Sequence, residues 1–442
     1  MCNFHRLSGL EAPARIELAT RSLGNCCSIQ LSYGAALRFY NARFYRLVPA
    51  TLSSMAKDWK TKLIHTDARV PEGFRSLSSP TYRGSTVLFD DVADLDDRWN
   101  QYDGGYTYGL YGTPTVLELA SRICELENGF RTIITPGGQA AITLIHLALL
   151  KAGDHILIPE SIYSPNRWFA SRILRGFGVE TTFYAPTIGE GITQLLRANT
   201  RAVWCESPGS ITMEVQDIPA IAKAAHAASV PVVLDNTWAA GVLFDAFSHG
   251  VDITMQAVTK YIGGHSDLLL GSVTVRDQEL YKKLGSAQQL LGISASPDDC
   301  SLALRGMKTM AVRLKTIEAS ALDLARWFTL RSEIERVLHP ALETCAGHEF
   351  WKRDFTGSAG VFSIVFRDSF SKAQVQNFVN RLELFKIGYS WGGVTSLAAA
   401  YDFRGASGRG NYAHRIVRLN IGLEDVEDLR SDLSRGLDSL VR

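Results

Sequence analysis

The chain has no apolar run of the roughly 18–20 residues that a membrane-spanning helix requires. Its longest candidate, Ala140 to Leu150, is too short, contains His146, and fits a buried helix with that histidine as a satisfied core residue. An excess of charge is missing too. Lys and Arg number 46 against 45 Asp and Glu, a formal charge of +1, which gives neither nucleic acid nor an anionic membrane an electrostatic reason to bind. Cysteine is sparse: seven in 442 residues, with no CxxC pair and no metal-type spacing. An odd, scattered set in a long chain reads as reduced thiols in a cytoplasmic protein, not as a disulfide framework or a metal site. No GxGxxG or Walker sequence marks a dinucleotide or nucleoside triphosphate, and neither HExxH nor GxSxG is present, so metalloprotease and α/β-hydrolase readings lack support. Internal repeats and low-complexity tracts are also absent.

What remains is the composition of an ordinary globular protein, 46% hydrophobic and 21% charged, long enough for two or three domains. Residues 1–54 stand apart, with six arginines, two acids (Glu11 and Glu17) and three of the seven cysteines. They show no sustained period, so a transit peptide is a poor fit. The expectation is a poorly ordered extension upstream of a true start at Met55. From about residue 115 helices and strands alternate. Thr115–Glu127 has helical spacing behind Pro114. Short buried strands follow at 132–135, 155–158, 179–184, 202–205 and 232–235, then a run from 252 to Lys260, with helical segments such as 166–176 and 217–229 between them. Such alternation implies a mainly parallel sheet covered on both faces. A long helix over 298–328 and mixed α+β beyond it suggest a smaller C-terminal domain from about residue 300, after a large domain over 115–299.

In open α/β sheets ligands bind beyond the carboxyl ends of the strands, so the residues there are the candidates. Pro136-Gly137-Gly138-Gln139 is a glycine turn opening a helix, suited to a phosphate. Tyr163 follows the next strand and could stack on a planar ring. Asp235 ends an apolar strand, where a carboxylate is costly without a cationic partner. A protonated pyridine nitrogen is such a partner. Lys260 stands next in order, before Gly263 and Gly264. Desolvated at the sheet edge, its amine becomes nucleophilic and able to form a Schiff base. His265 and Asp267 are candidates for shaping that turn. Each group alone is weak. Together they supply what pyridoxal phosphate needs.

Several stretches resemble the pyridoxal-phosphate enzymes of cysteine and methionine metabolism, of fold type I (aspartate aminotransferase-like), and within them the cystathionine β-lyase branch. They are Glu206-Ser207-Pro208-Gly209-Ser210-Ile211-Thr212-Met213-Glu214-Val215, Asp235 to Gly241, Gly347 to Asp354, Tyr389-Ser390-Trp391-Gly392-Gly393 and Arg418 to Asp425. The likeness covers roughly 57–442. It implies that Lys260 carries the cofactor, Asp235 keeps its ring nitrogen protonated, and Tyr163 stacks on the ring. Gly138, Gln139 and Thr259 would bind the phosphate, Arg418 would clamp the substrate carboxylate, and Ser390 and Trp391 would line the substrate pocket. Tyr108 matches a tyrosine that reaches the phosphate of a neighbouring subunit; Lys260, Tyr163 and Tyr108 would be the catalytic set. Residues 55–114 would form an arm for subunit contacts in a homotetramer built from dimers. Where the family often has an arginine two residues after that tyrosine, this chain has Leu110. The implied reaction is cleavage of L-cystathionine to homocysteine, pyruvate and ammonia. Alternatives are a γ-acting relative (cystathionine γ-synthase or methionine γ-lyase), a catalytically silent regulator on the same fold and, without its glycine fingerprint, a nicotinamide dehydrogenase.

Overall fold

The computed structural model describes residues 58–64, 76–95, 105–403 and 412–440. All of these except Gly105 fall in one compact unit, residues 52–102 with 106–442. The extension expected over residues 1–54 lies outside the described residues, as does part of the 55–114 arm.

Seven strands form the first sheet: β1 (Arg131–Thr135), β2 (His155–Pro159), β3 (Glu180–Tyr184), β4 (Thr200–Glu206), β5 (Val232–Asp235), β6 (Ile253–Gln256) and β7 (Gly271–Val275), in the order β1-β7-β6-β5-β4-β2-β3. The strands β2 to β6 pair in parallel, whereas β7 lies antiparallel between β6 and β1. Successive side chains of one strand enter opposite cores, as period two requires. Val203 and Cys205 join the cluster that holds Leu157 and Leu234, while Ala202 and Trp204 join the one with Ile156 and Val233. Both faces are therefore dry. The inner strands β2, β5 and β6 consequently read as nearly unbroken apolar runs, whereas the edge strand β3 does not.

Two expectations need correction. The run from 252 to 260 is not one strand. Pairing stops at Gln256, and Lys260 sits in a turn closed by its own N–H on the Ala257 carbonyl (2.9 Å) and by the Gly263 N–H on the Val258 carbonyl (2.8 Å). The helix over 166–176 divides into an α-helical turn, Ser164–Trp168, and a π-helical stretch, Phe169–Leu174. The antiparallel β7 was not anticipated.

A second, five-stranded sheet comprises β8 (Ile334–Leu338), β9 (Val361–Phe366), β10 (Lys386–Ile387), β11 (Leu397–Phe403) and β12 (Ala413–Asn420), ordered β10-β11-β12-β9-β8. Between the sheets runs the helix Pro297–Thr329, started by the Ser296 hydroxyl accepting from the Asp298 N–H (3.2 Å). Its Cys300, Leu304, Met307, Met310, Leu314 and Ile317 pack in the first sheet's core; Ala321, Leu324, Ala325 and Phe328 pack in the second's. Gly306 lets this helix touch the turn after Lys260, since a Cβ there would stand 2.3 Å from the Gly263 carbonyl oxygen. No helix among the described residues is long and apolar enough to cross a membrane.

Candidate active site

The strand ends converge. Lys260 extends its amine to the Ser390 hydroxyl (2.5 Å) and stands 5.4 Å from the centre of the Trp391 ring. Burial, reinforced by the nearby Arg418 cation and opposed by Asp235, lowers the lysine to about 8. Ser390 adopts a left-handed backbone, φ +75°. The loop that carries it presses on the lysine turn: Gly392, at φ +81°, would place a Cβ 3.1 Å from the Lys260 carbonyl carbon, and its N–H bonds the Asn420 side chain (2.8 Å).

Asp235 closes β5. Its Oδ1 accepts from the Thr237 N–H (3.0 Å) and hydroxyl (2.5 Å), and burial still raises the carboxyl to about 6. Glu206, at the end of β4, is its register partner. Burial first and Asp235 second push Glu206 well above the usual carboxylate range. Its carboxyl accepts the N–H of Tyr163 (2.7 Å), the residue that leads into the helical turn Ser164–Trp168. Tyr163 is 44% exposed, so its ring is available to a ligand. The Glu206 segment carried part of the family resemblance, but its role was not foreseen: the carboxyl bonds Tyr163 and stands beside Asp235 only through strand register.

At the end of β1, the helix Gly138–Leu149 begins with glycine because a Cβ there would meet that of Ala257 at 2.9 Å. The neighbouring Gln139 has a buried Oε1, an acceptor, with no donor among the described residues. The Thr259 hydroxyl, by contrast, is engaged, donating to the Leu270 carbonyl and accepting its N–H, both at 3.1 Å. It would have to exchange one of those bonds to reach a phosphate.

Arg418 rises from β12, is 9% exposed, and gives its Nη2 to the Ser390 carbonyl (3.1 Å). Burial lowers its affinity for the proton, while Tyr401, Tyr163 and Tyr389 act in the opposite sense. No carboxylate pairs with it among the described residues. Such a cation is costly unless an anion completes it. Trp391 packs against Tyr261, ring centres 5.5 Å apart.

Tyr108 is elsewhere. It is 49% exposed, bridges to Thr86 and meets Tyr111 edge-on, with no described contact to Lys260 or Asp235. Leu110 lines a small cavity with Val116, Leu117 and Ile134, an apolar setting that suits leucine. His146 is a core residue as expected, stacked on Trp204, bonded to Asn166 (2.8 Å) and lowered by burial to about 4. The exposed His265 stays local, bonding the Gly263 carbonyl (2.7 Å), and Asp267 faces solvent.

These residues suit a phosphorylated pyridine aldehyde. A glycine-opened helix N-terminus, a half-exposed tyrosine face, a buried aspartate and a lysine of depressed pKa each answer one part of that molecule. The comparisons agree. The sequence pattern of the "Cys/Met metabolism PLP-dependent enzyme" family matches residues 60–438. A cystathionine β-lyase of Salmonella typhimurium is 40% identical over 87% of this chain and 99% of its own. An L-alanine/L-glutamate racemase of Wolbachia pipientis is 38% identical over 83% of this chain and 93% of its own. Among solved structures, the cystathionine γ-synthase of Xanthomonas oryzae superposes with a TM-score of 0.80 at 27% identity, covering 88% of this chain and 99% of its own.

Proposed function

This chain belongs to the Cys/Met metabolism PLP-dependent enzymes, and on that premise we propose that it is a carbon–sulfur β-lyase cleaving L-cystathionine to homocysteine, pyruvate and ammonia. The observation that carries the reading is Arg418, a buried cation without a carboxylate partner among the described residues, facing the same space as Lys260 and Asp235. An amino-acid carboxylate completes it.

Pyridoxal phosphate, when bound, supplies an electron sink for charge developing at the substrate Cα. Everything else falls to side chains. The helix start at Gly138 and Gln139 holds the phosphate with its free N–H groups, and Thr259 lies alongside. Asp235 would hold the ring nitrogen protonated, and Tyr163 would lie against the ring. Lys260 would hold the cofactor through its amine and, as a free base, would take the substrate's α-proton. Its lowered pKa suits that task near neutral pH. Arg418 fixes the α-carboxylate through paired N–H donors, which orients the Cα–H bond toward the lysine. Ser390 holds the lysine amine, and Trp391 excludes water beside it. Tyr108 completes a neighbouring subunit's phosphate site in a cytoplasmic homotetramer. The setting is supported by Cys124, Cys205, Cys300 and Cys345, all buried and unpaired.

Purified protein should be yellow and release pyruvate with free thiol from L-cystathionine; Lys260→Ala should lose both colour and turnover. Release of 2-oxobutyrate in place of pyruvate would instead assign a γ-acting enzyme, and D-amino-acid formation without thiol release a racemase.

A further inference from the structure

Arg418 is held in two ways, only one of which is a hydrogen bond. Its Nη2 is tied to the Ser390 carbonyl, while its Cζ stands 5.4 Å from the ring centre of Tyr401. The sheet explains this proximity. Ala399 is the register partner of Arg418, and Tyr401, two residues on, shares that face. The ladder between β11 and β12 slips between Tyr401 and Phe403, an irregularity of the kind that re-aims a side chain beside a site. Ala399 is too small to contact the guanidinium broadly, so the half-buried tyrosine ring is the group positioned against it. Nε and Nη1 have no protein acceptor among the described residues, and Nη2 keeps a second N–H beside the one given to Ser390.

We propose that Tyr401 is a positioning residue for substrate recognition: its ring fixes the plane of the Arg418 guanidinium, so that the second N–H of Nη2 and the N–H next to it on the same edge of the fork meet the α-carboxylate of an amino acid edge-on. The inference rests on reading Arg418 as the carboxylate clamp. A cation over an aromatic face is held more strongly when desolvated, as Arg418 is here. A planar fork with one end bonded and one face covered loses little further freedom on binding.

The test uses the holoenzyme and two probes, L-alanine, which has no leaving group, and ethylamine, which has no carboxylate, each titrated through the visible absorption of the cofactor. Tyr401→Leu should weaken L-alanine about five- to tenfold, the magnitude of one cation–π contact, and leave ethylamine unchanged. Tyr401→Phe, which keeps the ring, should retain wild-type affinity. With L-cystathionine the loss should appear in KM and not in kcat. If Tyr401→Leu does not retain cofactor, Tyr401→Met, also without a π face, reads the same difference. Unchanged L-alanine binding, equal weakening of both probes, or Tyr401→Phe as weak as Tyr401→Leu would each overturn the proposal. L-Alanine binding does not depend on lyase activity, so the result stands apart from the overall reaction. If Arg418→Lys leaves L-alanine binding intact, the clamp reading and the tyrosine's role fall together.

Discussion

Lys260 and Arg418 impose opposite demands on one small volume. Each cation is costly in a desolvated space, and each makes the other more so. The lysine can respond by shedding its proton; the arginine cannot. On the proposed reading, that asymmetry makes Lys260 the nucleophile and Arg418 the anion site. It also has a sign that can be measured. Reaction of apoprotein with pyridoxal phosphate needs the neutral amine, so its rate should rise with pH about a midpoint near 8, not near the ordinary 10.5, followed by the growth of visible absorbance. A midpoint of 10 or above would contradict the burial argument. Arg418→Lys should raise KM for L-cystathionine by roughly tenfold or more while changing kcat less, because a point charge replaces a bidentate fork. Steady-state kinetics with thiol detection would show it. At this scale the sequence was partly readable. Asp235, Tyr163 and Lys260 stand beside strand ends, and in a parallel sheet those ends must meet. Arg418, Ser390 and Trp391 were reached only through family likeness, since local pattern cannot say which residue of a distant sheet enters the site. The contact of Glu206 with Tyr163 and that of Tyr401 with Arg418 depend on register between strands, which no local spacing encodes.

At the scale of elements, the site depends on how closely backbones approach. The helix Pro297–Thr329 reaches the Lys260 turn only because Gly306 has no side chain. Gly306→Val would force that helix and the turn apart, and we expect a loss of about 2–4 kcal/mol in stability, as for other overpacked sites, with weaker cofactor retention. Urea unfolding of the holoenzyme, read together with its colour, measures both; retention of wild-type stability would show that the approach is not required. Element type was largely legible here because the apolar period was strong. Boundaries were not. The uncharged run Ala257-Val258-Thr259 reads as strand, yet it turns, because the bonds to Ala257 and Val258 from Lys260 and Gly263 close it before another ladder rung can form.

At the scale of the molecule, one chain brings Lys260, Asp235 and Arg418 near one another, and no described contact joins Tyr108 to them. If a neighbouring subunit supplies that tyrosine, Tyr108→Phe and Lys260→Ala should each be strongly impaired alone and complement one another when co-assembled. Equal random mixing in dimers gives about a quarter of sites with both native residues, so activity should recover toward that fraction. No recovery in verified hybrids would place Tyr108 outside the shared site.

The groups proposed to face the cofactor lie beside one sheet and those proposed to face the carboxylate on or beside another, with one helix seated in both cores. On that reading, substitutions around β11, β12 and the loop bearing Ser390 would alter which amino acid is accepted and leave the strand ends of the first sheet in place. The chain's likeness to a lyase, a racemase and a synthase at once is what such a separation would allow: one reactive centre, served by interchangeable rims.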